Sequence, residues 1–186
     1  MTQYTIDANE IHSGFIERYE PPLTTGLTYT LHSGETIKVG HDTESTGTTD
    51  WFGYVQFETD GVIGSGEIVT KVEFVWEDKN SVSSAGAPGD WINKLAIYST
   101  NSVYNPNNPY NYLKDWLVYQ DQDWATGPAD ATIEIVSGYN HVDKTYTYIH
   151  LRDASSNFGS AYWYALLENH IDGDHYCKLV LTVTGG

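Results

Sequence analysis

Trp91, Tyr104, Tyr110, Tyr112 and Trp124 occur in stretches rich in Asp, Asn, Gly and Pro, beside Asp90, Asn107, Asn108, Asn111 and Asp123. Flat aromatic rings stack on the C–H faces of sugars, while carboxylates and amides exchange hydrogen bonds with sugar hydroxyls. Trp91, Tyr104, Tyr110, Tyr112, Trp124, Asn108 and Asp90 are therefore the candidate ligand-binding set, with a polysaccharide or glycan as the partner. The competing reading is structural: Trp91, Trp116 and Trp124 equally suit the ends of a hydrophobic core, where large rings are mostly buried. The tyrosines at 104, 110 and 112 lie among Asn and Pro, which argues for a contact surface rather than a strand.

A second chemistry is cation binding. A hard divalent ion needs several oxygens gathered by a loop, and Asp-x-Asp spacing supplies two of them at once. Asp121-Gln122-Asp123 and Asp172-Gly173-Asp174 both have it, and Asp42, Glu44 and Asp50 approach it more loosely. None completes an EF-hand pattern. Asp121, Asp123, Asp172 and Asp174 are the candidate ligands for a structural Ca²⁺, the alternative being that they are plain turn residues. A transition-metal set of Glu168, His170, Asp174 and His175 is weaker, because the two histidines stand five residues apart in an expected loop.

Catalytic signatures are lacking. There is no Gly-x-Ser-x-Gly elbow and no phosphate-cradling glycine loop, and Cys177 falls on the apolar side of a terminal strand, where a thiol is inert. Tyr146, Tyr148 and His150 alternate along one strand face, as in Tyr/His sites of jelly-roll polysaccharide-active enzymes. Acidic substrates of such sites need balancing cations, and this chain has few. The expectation is no enzyme.

These residues must be held by strands. Over residues 67–78, Ile68, Thr70, Val72, Phe74 and Trp76 alternate with Lys71, Glu73 and Glu77. Over 177–183, Cys177, Leu179, Leu181 and Val183 alternate with Lys178, Val180 and Thr182. A period of two means one face in a core and one in water. Further strands are expected at 4–7, 27–32, 36–39, 52–58, 94–99, 132–136, 145–151 and 161–168, separated by Ser33-Gly34, Asp60-Gly61, Gly64-Ser65-Gly66, Asn140-His141 and Asp172-Gly173. The longer stretches 81–90 and 101–111 are the expected functional loops. Within the second, Asn108 as cap and Pro109 at the first helical position predict a short helix with Leu113, Trp116 and Leu117 on one side. The fold class expected is all-β: a single β-sandwich domain over 1–186, jelly-roll type, of about ten short antiparallel strands and at most one short helix.

Composition agrees. The 186 residues suit one domain, at roughly 100 to 200 residues each, and 15 Tyr and 6 Trp with many Thr and Val favour pleated surfaces. Nine basic against 25 acidic residues leave a net charge of −16, which disfavours nucleic acid. That acidity reflects solubility, salt adaptation or calcium binding. One cysteine excludes an intrachain disulfide. No apolar run reaches the roughly 18–20 residues of a membrane span, so no membrane insertion is expected.

Tyr4-Thr5-Ile6-Asp7, then Phe52-Gly53-Tyr54-Val55-Gln56-Phe57, then Gly64-Ser65-Gly66 leading into Glu67-Ile68-Val69-Thr70-Lys71-Val72-Glu73-Phe74 follow one another in a familiar order. Leu95-Ala96-Ile97-Tyr98, Tyr164-Ala165-Leu166-Leu167-Glu168 and Leu179-Val180-Leu181-Thr182-Val183 continue it. The series resembles the DNRLRE-type jelly-roll modules of secreted polysaccharide-degrading enzymes and cell-surface proteins. The resemblance implies a non-catalytic β-sandwich, often carbohydrate-binding and often with a structural Ca²⁺, and assigns no ligand residue by position. The leading expectation is thus an extracellular or cell-surface carbohydrate-binding or adhesion module. A self-associating structural subunit of a phage or virus particle or surface fibre, located in the virion, is the alternative. A polysaccharide-active enzyme is the second alternative.

Overall fold

The structure is a computed structural model, and it describes residues 1–9, 11–22, 26–34, 37–44, 47–76, 80–83, 95–100, 116–121, 131–135, 146–153, 163–167 and 177–186. Among the described residues there are thirteen strands and no helix. Strands β1 (Thr2–Asp7), β6 (Ile68–Trp76), β10 (Ala131–Ile135) and β13 (Lys178–Thr184) form a four-stranded antiparallel sheet in the order β1-β13-β6-β10. The other nine strands form the second sheet: β2 (Gly14–Glu20), β3 (Thr28–Ser33), β4 (Ile37–Glu44), β5 (Gly47–Glu58), β7 (Asn80–Ser83), β8 (Leu95–Thr100), β9 (Trp116–Asp121), β11 (Tyr146–Asp153) and β12 (Trp163–Leu167). Their order is β7-β12-β4-β5-β11-β8-β9, with the β2-β3 hairpin attached to the other edge of β5.

One hydrophobic core joins the two sheets, so the architecture is β-sandwich-like. Ile6, Val72, Phe74, Trp76, Leu179 and Leu181 enter it from the smaller sheet, and Ile37, Val39, Val55, Phe57, Ile149 and Leu151 from the larger. Phe57 meets Phe74 edge-on, with ring centroids 6.3 Å apart, an arrangement that suits the quadrupoles of the two rings. Cys177 is fully buried in this core.

The chain passes between sheets at its start. Ala8 bridges Phe57, its N–H donates to the carbonyl of Cys177, and Asn9 N–H donates to the carbonyl of Gln56. Buried Ser13 closes the transition: its hydroxyl donates to the Asn9 carbonyl (2.6 Å) and accepts the N–H of Gln56 (3.0 Å). A backbone donor that leaves the ladder is thereby still satisfied.

The long strand β5 forks. Its first half pairs with β4 from Gly47 to Trp51, and its second half pairs along the same edge with β11 from Gly53 to Glu58. Gly53 sits at the divide, where a Cβ would lie 2.6 Å from Ile37 Cγ2 and 2.8 Å from Val39 Cγ2. A side chain there would have to push Ile37 and Val39 aside where β4 and β11 converge on one strand.

Three expectations from sequence need revision. First, β2, β7 and β9 were not anticipated, so the described strands outnumber the ten expected. Strand β2 hides its pattern because Arg18 pairs in register with Asp50 on β5, a cross-strand interaction invisible to hydrophobic periodicity. Second, Trp116 and Leu117 do not share a helical side. They open β9 and pair with Ser99 and Tyr98 of β8, so the ladder rather than a helix satisfies their backbone; Asn108, Pro109 and Leu113 lie outside the described residues. Third, the buried face of β6 does not extend to Thr70 and Ile68, both of which are exposed. Lys71 pairs with Thr182 but Val69 with Val183, leaving Thr70 as the extra residue of a bulge, its hydroxyl donating to the Thr182 carbonyl. The bulge shifts the alternation by one, so Val69 packs on the core instead.

Candidate functional site

Of the residues the sequence singles out, Asp90, Trp91, Tyr104, Asn108, Tyr110, Tyr112, Asp123, Trp124, Asp172 and Asp174 lie outside the described residues. What the structure does describe is where their segments are rooted. Leu95, the first residue of β8, pairs with Asp121, the last of β9. From Leu95 the chain runs back to Trp91 and Asp90, and from Asp121 it runs on to Asp123 and Trp124. Two parts of the candidate set, together with one Asp-x-Asp pair, therefore spring from neighbouring strands at one end of the sheet. On its other side Leu95 pairs in register with Asp153 of β11.

The tyrosine-rich segment is rooted elsewhere. Ser99 pairs with Trp116, so the connection carrying Tyr104, Asn108, Tyr110 and Tyr112 joins the opposite ends of β8 and β9. At about 3.3 Å per residue, the two ends of six-residue β8 are roughly 17 Å apart. The aromatic set thus divides into two groups by attachment.

Among the described residues Arg18 is tied into the framework. Arg18 bonds Asp50 across the β2–β5 ladder and Glu20 along its own strand (2.8 Å). Burial opposes its charge, but the bond and field of Asp50 and the field of Glu20 outweigh that and raise its pKa. Asp50 faces His41 in register while Asp42 faces Thr49, which sets Asp42 and Asp50 on opposite sides of the pleat. The loose Asp42, Glu44 and Asp50 grouping therefore does not converge. No cluster of three His, Cys, Asp or Glu side chains suited to a metal occurs among the described residues.

Trp51 was not singled out by sequence. Its buried ring carries the Lys38 ammonium 3.4 Å above its centroid, and its Nε1–H donates to Glu17 Oε2 at 3.3 Å. Burial pulls the Lys38 pKa down, partly countered by Glu17 and Asp42. With one face taken by Lys38, Trp51 serves as a cross-strand brace, an assignment that needs the β2, β4 and β5 register to see. Beside it, Phe15 stacks on His32 at 4.3 Å across the β2–β3 hairpin.

On β11, Thr147, Ile149 and Leu151 are fully buried toward the core. Tyr146, Tyr148 and His150 hold the intervening positions, opposite Glu58, Gln56 and Tyr54 of β5. Compared with known proteins, the chain matches no family and no curated sequence.

Proposed function

We propose that this chain is a non-catalytic carbohydrate-binding or adhesion module of a secreted or surface protein, built as a jelly roll of the DNRLRE type. The observation that carries this reading is the pairing of Leu95 with Asp121, which ties the roots of the Asp90-Trp91 and Asp123-Trp124 segments to adjacent strands. On this reading rings for stacking and carboxylates for hydroxyls or a Ca²⁺ ion are brought together near the Leu95–Asp121 pair. Repeated passage between sheets, from β5 to β6, β9 to β10, β10 to β11 and β12 to β13, supports a jelly roll rather than a meander. In this reading Asp121 and Asp123 hold a structural Ca²⁺, Trp91 and Trp124 stack on sugar, and the tyrosine-rich segment makes a second, separate contact.

Glycan-array binding of Trp91→Ala, Trp124→Ala and the double variant Tyr110→Ala/Tyr112→Ala tests the assignment. Loss of one stacking ring should weaken binding about two- to tenfold, by roughly the 0.5–1.5 kcal/mol that an aromatic contact supplies beyond its buried area. Wild-type binding by all three variants overturns the site.

A further inference from the structure

We draw no further inference here: the strongest candidate, the face of the nine-stranded sheet turned away from the main core, where Ile16, Tyr54 and Gln56 are buried beside half-buried Tyr29 and Phe52, carries none because nothing in the structure shows what covers it.

Discussion

Tyr4 shows how a single polar group closes this fold at its seams. Its hydroxyl lies 3.0 Å from both carboxylate oxygens of Glu67, and the same carboxylate accepts the N–H of Gly64 at 2.7 Å. The first strand is thereby fastened to the turn that precedes β6. The hydrogen bond to Glu67 raises the Tyr4 pKa, with burial and the Glu67 charge adding to it. A phenol that stays protonated in the fold while it ionises in the unfolded chain leaves the unfolded state with fewer bound protons. Stability from this group is therefore full below the ordinary phenol pKa of about 10 and is lost as pH rises through and beyond it. Tyr4→Phe should lower the denaturant midpoint at pH 8, and the gap to wild type should narrow by pH 10.5. A gap that stays constant across that range would show that the Tyr4–Glu67 pair does not raise the phenol pKa in the fold. Neither Tyr4 nor the Lys38–Trp51–Glu17 brace was legible from sequence, because each depends on which residues register brings side by side. The candidate aromatic and acidic residues were legible only as types in loops.

Elements divide by how they signal. Strands β6 and β13 announce themselves through alternation: Val72, Phe74, Trp76, Leu179, Leu181 and Val183, which the period of two selects, are buried, and Thr182, opposite the bulge, is buried against that period. The failure within β6 has a local cause, since the Thr70 bulge reverses which side faces the core and a bulge leaves no periodic mark. Strands β2 and β9 were hidden for a different reason. In β2 Glu17 and Arg18 are matched across the ladder by Trp51 and Asp50, and in β9 the Trp-Leu-Val-Tyr run reads equally well with helical or strand spacing. The fork at Gly53 is the element-scale feature most open to test. Gly53→Ala drives a methyl into Ile37 and Val39, which must part from β5, and overpacking of this kind costs about 1–3 kcal/mol. Urea unfolding should show a lower midpoint at unchanged slope. A midpoint equal to wild type would mean that β4 yields freely and that the fork does not depend on glycine.

At the scale of the whole molecule, charge is the governing quantity. Twenty-five acidic residues face nine basic ones, and two of the described cations each serve two carboxylates: Arg18 serves Asp50 and Glu20, and Lys71 serves Glu73 and Glu134. The surplus of carboxylates falls to solvent cations, and self-repulsion at low salt opposes the compact state. If Asp121 and Asp123 hold Ca²⁺, thermal unfolding at fixed ionic strength should rise on adding calcium after EDTA. At a calcium concentration about a hundredfold above Kd the gain is about 2.7 kcal/mol, or roughly 5–10 °C for a domain of this size. Asp121→Asn should abolish that rise, whereas an equal response to sodium at matched ionic strength would reduce it to screening. The central claim, recognition without turnover, is tested most directly by presenting the wild-type chain with immobilised and soluble polysaccharides while assaying for reducing or unsaturated ends. The account predicts saturable retention on at least one polysaccharide with no new ends formed; release of ends, or no retention on any polysaccharide with calcium present, would contradict it.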